Sequence, residues 1–267
     1  MSPRTRCSFL RNSRRLCELS LILVVSAFPI FAAKTDNVVA RENISKSNRQ
    51  ELVRTLRSIT GWDDLNFDND GALNVGNTGP RDGSKTAREL LNRALTGDRR
   101  ILFEDASSRK DVVFCRVFLR TIDNEEVHVV EIDFADFRHV TGDKQALASF
   151  DVGWAVLHEI DHVVEDSVDP HENVIGDCEG RINDMRRELG LATRNSYFFS
   201  FLPVKNSGPF ISKFVRMGFD QADGPVSKRK RYWLIWDAAV VGGLPENEAT
   251  NGVFSLNGRL VLGDLAR

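Results

Sequence analysis

Cysteine is scarce in this chain. Of the four it has, Cys7 and Cys17 lie near the start, which leaves Cys115 and Cys178 for the rest. A disulfide-stapled scaffold is excluded, because two thiols allow at most one bridge. In an oxidising compartment that bridge would tie the strand before the candidate site to the start of the helix after it. Two separate buried thiols is the equal alternative. Internal repeats and low-complexity tracts are missing too, so a solenoid or array is not in question. About 230 residues remain after the leader described next, enough for one domain with a sizeable core.

A long apolar run is also lacking. The most apolar stretch, residues 19–33, follows a basic start of Arg4, Arg6, Arg11, Arg14 and Arg15. It is short for a membrane span and suits the core of a signal peptide. Residues 1–33 are therefore expected to be a signal peptide, cut after Ala27 or Ala33. Residues 34–267 would then be one exported domain, periplasmic or secreted. Membrane attachment follows only if the segment stays uncleaved. Nor is there an excess of basic charge. Residues 1–33 carry five Lys/Arg and one Asp/Glu, so the remainder holds 31 against 37, a net charge of −6. That balance argues against a nucleic-acid partner. The run Lys228-Arg229-Lys230-Arg231 is the exception, and reads as a solvated loop.

What the chain does have is concentrated between Trp154 and Leu191. His158-Glu159-Ile160-Asp161-His162 is an H-E-x-x-H pattern. On a helix, positions i and i+4 share a face, so two imidazoles can offer nitrogens to one Zn²⁺. Glu159 stands beside the first of them as a general base. Leu157, Ile160 and Val164 recur at i, i+3 and i+7, which gives the segment a core side opposite the histidines. Asp169-Pro170 supplies a stop. The pattern therefore points to a zinc-dependent hydrolase, and sets aside a polar helix face with two unrelated histidines.

A third ligand is needed. The metzincin spacing fails, since Glu165 stands where its Gly belongs and Val168 where its third His belongs. Glu165 and Asp166 are too near on the same helix. His171 sits in a turn after Pro170 and stays open as a candidate. Cys178 is a remote one. Glu179 follows His162 by enough chain to reverse and begin a second helix over residues 178–189, where Ile182, Met185 and Leu189 recur and Gly190 follows as a stop. His158, His162 and Glu179 would make a His₂Glu site with one position open.

His158-Glu159-x-x-His162, followed by Glu179-x-x-x-Asn183-x-x-Arg186-x-Glu188-Leu189-Gly190-Leu191 and Arg194-x-x-Tyr197, resembles the zincin-type metallopeptidase domains of bacterial effector and Rhs-associated toxin proteins. More distantly it is similar to the gluzincins. The resemblance covers residues 126–197. It implies an α+β, zincin-like fold: a small mixed or antiparallel sheet, an active-site helix and a second helix bearing the third ligand. It implies a metallopeptidase acting on a peptide or protein substrate, with an edge strand beside the site helix that pairs with extended substrate. Asn183 stands where gluzincins carry an Asp that orients a ligand histidine, and its oxygen can serve likewise. Arg186 or Tyr197 could stabilise an oxyanion, or Tyr197 may simply pack. The alternative functions are an extracytoplasmic binding or structural protein that keeps this scaffold without turnover, and a zinc hydrolase of non-peptide bonds.

Elsewhere, residues 47–59 and 84–96 carry helical periodicity. Val112–Leu119 and Val127–Phe134 read as a hairpin around Asp123-Asn124-Glu125. The resemblance suggests that this hairpin supplies the edge strand. His128 and His139 bear no spacing to His158 and read as ordinary polar positions. Asn66-x-Asp68-x-Asp70-Gly71 matches the opening of a calcium loop, but its twelfth position is Asn77, so a turn before a short strand at 72–75 is favoured. Tyr197–Pro203 and Tyr232–Val241 read as strands, 210–219 as a further apolar segment and Gly252–Leu262 as a closing hairpin.

Overall fold

The computed structural model describes residues 36–107, 109–201, 214–223 and 228–241. The expected signal peptide and the hairpin at 252–262 lie outside them. The described part is a mixed α/β structure with two larger sheets, one two-stranded ribbon and six helices.

The first half builds a sheet backed by helices. Strand β1 (Val38–Ala40) leads into helix α1 (Lys46–Thr60), which starts where the Ser45 hydroxyl accepts the Asn48 amide and stops where Gly61 turns left-handed. Leu52, Leu56 and Ile59 form its buried side. A short ribbon, β2 (Asn66–Phe67) and β3 (Leu73–Asn74), follows. The Asp68 carboxylate there accepts the amides of Asp70 and Ala72 and the Asn74 side chain, so it closes a turn and has no need of a cation. Helix α2 (Lys85–Thr96) buries Ala87, Leu90, Leu91 and Ala94.

Strands β4 (Arg100–Asp105), β5 (Cys115–Ile122) and β6 (Glu125–Ile132) complete the first sheet, in the order β1-β4-β6-β5. The pairs β1–β4 and β4–β6 are parallel, while β5 is an antiparallel edge. The β5–β6 hairpin closes through Asp123 and Asn124, whose φ values of 51° and 67° are both positive, as a tight primed turn requires. The hairpin is shifted from the sequence expectation. Phe114, at φ 61°, breaks the chain before β5 begins, and Phe134 opens helix α3 (Phe134–Arg138) because Asp133 caps it.

The second sheet is antiparallel. Strand β7 (Thr141–Gly142) and helix α4 (Lys144–Ala148) precede the two site helices, α5 (Val152–Glu165) and α6 (Asp177–Glu188). Then come β8 (Thr193–Arg194), β9 (Ser200–Phe201), β10 (Phe214–Asp223) and β11 (Lys228–Asp237). The order is β7-β11-β10-β8, with β9 also on β10. Two expectations change here. Lys228–Arg231 is the start of β11, paired with Asp220–Asp223, and not a loop. Backbone pairing holds those residues in line, and alternation buries Leu234 and Trp236 further along the same strand. Of the strand expected at 197–203, only Ser200–Phe201 is strand among the described residues.

Helix α5 is the hub. Asp151 caps it by accepting the Gly153 and Trp154 amides at 2.8 and 3.2 Å. It packs against α1, α2, α6, β5 and β6. A Cβ at Gly153 would stand 2.7 Å from the Thr55 hydroxyl, so only glycine lets α1 approach this closely. Trp154, Val156, Leu157, Ile160 and Val163 bury almost the whole circumference and leave the histidine side to face the site.

Candidate metal centre

His158 and His162 lie one turn apart on α5, their ring centroids 4.8 Å apart. The hydrogen bonds at the other end of each ring decide which nitrogens face each other. His162 Nδ1 lies 2.8 Å from the Ser167 carbonyl oxygen, which can only accept, so the proton sits on Nδ1 and the Nε2 lone pair is free. His158 Nδ1 lies 3.4 Å from Glu179 Oε2 and 3.3 Å from Cys178 Sγ. Its Nε2 is likewise left over.

Both Nε2 atoms converge on a carboxylate that no spacing rule had picked out. Asp169 Oδ1 lies 3.3 Å from His158 Nε2 and 3.4 Å from His162 Nε2. That oxygen is buried and has no hydrogen-bond partner. Helix α5 ends in the left-handed Asp166 (φ 51°), and the reversal brings residues 167–169 back over its last turn. Ser167 Oγ donates to Asp161 at 2.8 Å, which pins the return. Asn173 fastens the same loop to the segment before β9 through Ser196 and the Phe198 amide.

Glu179 does not occupy that corner. It faces the Nδ1 side of His158, and its other contacts are ion pairs with two buried arginines: Arg186 on Oε1 and Arg194 on Oε2, the latter at 3.0 Å. Burial alone would raise its pKa. The two guanidiniums, helped by His158, hold it well below the usual carboxylate range. Its oxygens are spent on the arginines, and the hydrogen-bond partner of His158 Nδ1 is Cys178 Sγ at 3.3 Å, so Glu179 stands beside this edge of the ring as a neutralised neighbour.

The remaining sequence candidates separate cleanly. Asn183 touches neither histidine: Oδ1 accepts the Arg194 amide at 2.8 Å and Arg186 Nη1 at 2.9 Å, and Nδ2 donates to the Arg194 carbonyl at 2.9 Å. It locks the two arginines that hold Glu179. Arg186 is committed to Glu179, Asn183 and the Ser149 carbonyl, and does not reach the histidines. Tyr197 is fully buried, stacked on His158 with centroids 6.2 Å apart and its hydroxyl turned to Asp169. His171 is exposed. His128 lies on β6 and His139 at the end of α3.

Cys115 and Cys178 are both free and buried, so the bridge allowed by the sequence does not form. Cys178 with His158 and His162 makes a second possible donor set, with all three ligand atoms within 4.8 Å of one another. It is the weaker one. Cys178 meets His158 at Nδ1, the nitrogen that also faces Glu179, so the two rings would have to present different edges. Burial also pushes its thiol up to about 12.

Glu159 is buried and turned towards the Val117 amide of edge strand β5. Burial raises its pKa, with the neighbouring imidazoles opposing. No family model matches the chain, and neither a curated protein nor a solved structure matches it.

Proposed function

We propose that this chain is an exported zinc-dependent peptidase of zincin-like architecture, in which His158, His162 and Asp169 hold the ion and Glu159 is the general base. The observation that carries the reading is Asp169 Oδ1, a buried oxygen without a hydrogen bond, placed 3.3 and 3.4 Å from two Nε2 atoms. Ligands about 2.0–2.1 Å from a tetrahedral ion stand about 3.3–3.4 Å from one another, so the two carboxylate–imidazole separations match those of donors sharing one Zn²⁺. Two imidazoles and one carboxylate also leave a fourth position.

Zn²⁺ in this place supplies Lewis acidity, which acidifies water and polarises a carbonyl. Glu159 takes a proton from the attacking water and passes it to the leaving amine. Its raised pKa suits both halves of that task. Cys178 Sγ, with Glu179 beside it, occupies the Nδ1 edge of His158 and leaves Nε2 for the ion. The edge of β5, unpaired among the described residues and beside α5, offers backbone groups to an extended chain and favours a peptide over a small ester.

The test is metal analysis and peptide turnover of the purified chain beside Glu159→Gln. Stoichiometric zinc in both proteins, with turnover only in the wild type, supports the reading. Zinc without turnover in either would leave a non-catalytic binding protein, and equal turnover in both would remove Glu159 from the chemistry.

A further inference from the structure

Beside the centre a narrow hollow is lined by the rings of Phe114, Phe150 and Trp154, by Ala155, and by two acids and two arginines, Glu159, Glu179, Arg186 and Arg194. Its free volume is about 20 Å³, room for roughly one or two waters. Three aromatic rings wall it, yet it contains a cation. The Arg186 side chain is 3% exposed, and its guanidinium lies between Trp154 and Phe219, 5.2 and 5.4 Å from the ring centres.

This guanidinium is only partly satisfied. Nε donates to the Ser149 carbonyl at 3.0 Å, and Nη1 is shared between Glu179 and Asn183. Nη2 makes no hydrogen bond among the described residues. Arg186 and Arg194 share the carboxylate of Glu179, and Glu159, the other acid on the hollow, makes no ion pair with either among the described residues. The next acid, Asp151, attracts Arg186 from a distance but spends its hydrogen bonds on the amides that open α5. A buried donor with spare capacity, facing a hollow beside the general base, calls for an acceptor from outside.

We infer that the hollow is a specificity pocket for a short substrate side chain ending in an acceptor oxygen, Asp or Asn, on one of the two residues that flank the scissile bond. The inference rests on the peptidase reading above. The narrow space excludes long side chains. A Lys or Arg would meet a like charge, and a Leu or Phe would bury Nη2 without a partner. The aromatic walls suit the one methylene of Asp or Asn. A free C-terminal carboxylate carries the same chemistry, so the two sources must be told apart.

The experiment uses the zinc-loaded full chain and a peptide mixture varied at both flanking positions, with cleavage read by mass spectrometry. One set is amidated at the C-terminus and a second has free carboxyl ends. Asp and Asn should be favoured about tenfold or more over Leu, Phe and Lys at one flanking position in the amidated set. Ala155→Leu, which fills the hollow, should retain zinc but shift the preference to Gly and Ala. A preference for Leu, Phe or Lys, or none at all, overturns the inference while leaving the peptidase standing. Cleavage confined to free carboxyl ends overturns it in favour of the terminal carboxylate. A zinc-loaded chain that cuts no peptide defeats the peptidase reading, and this inference with it.

Discussion

His158 has a carboxylate on each side, and the two could hardly differ more. On the Nδ1 side Glu179 is 2% exposed and its two oxygens are claimed by Arg186 and Arg194. On the Nε2 side Asp169 is 27% exposed, and Oδ1, 3.3 and 3.4 Å from the two imidazoles, has no hydrogen bond among the described residues. A carboxylate wrapped in arginines has its charge neutralised and cannot add much to a cation. An oxygen without a hydrogen bond between two imidazole nitrogens keeps its charge available, to imidazolium protons or to a cation. Proximity to a histidine does not tell a ligand from a supporting group; the company each oxygen keeps does.

That contrast can be tested from the deepest perturbation outwards. Glu179→Ala strands two buried guanidiniums and should cost about 3–5 kcal/mol of stability by denaturant unfolding. Asp169→Ala should weaken zinc binding by about 100-fold or more while costing much less metal-free stability than Glu179→Ala. If the two variants exchanged phenotypes, the assignment of ligand and support would be inverted.

Acidity offers a third test. In the metal-free chain burial opposes the charged form of His158, but the Cys178 sulfur, Asp169 and Glu179 outweigh it and hold the ring well above its ordinary 6.5. His162 is raised as well, with burial again the largest and opposing influence and Asp169 the main support. A raised folded-state value gives stability that is complete below the unfolded pKa and lost as pH climbs through the folded one. The metal-free Tm should therefore fall as pH rises above about 6.5, and added zinc should reverse the fall by replacing the protons. Asp151→Ala removes the cap of α5 and should cost about 1 kcal/mol. Smallest of all, Cys178→Ala should leave zinc affinity within a few-fold; a loss as large as that of Asp169→Ala would move the third donor to sulfur.

Much of this was legible in the letters. The apolar stripes of α1, α2, α5 and α6 and their stops mark those helices, because periodicity and capping are local properties. The five-residue α3 and α4 leave no such stripe, and β4 is too short an apolar run to announce a parallel strand. Arg229–Arg231 looks solvated because it is, on both faces of a strand whose pairing is done by backbone. In the centre, His158, Glu159 and His162 follow from one turn of helix. Asp169 does not, since its place depends on the left-handed Asp166 and on Ser167 binding Asp161, neither of which has a spacing rule. An acid soon after the second histidine, just beyond the helix end, was the available signal. Glu179 stood out because it shares a helix with Asn183 and Arg186, and those neighbours are the reason it serves as a support.

The groups that complete the centre reach it from far along the chain. Arg194 lies in β8, held against β10, and Tyr197 lies between β8 and β9, both of which β10 pairs. Asn173 clasps the Asp169 loop to that same segment. A ribosome that has finished the two histidines has therefore made only half of the socket. The other half awaits the closing of the second sheet, so on the zinc reading proposed above ion uptake belongs at the end of folding.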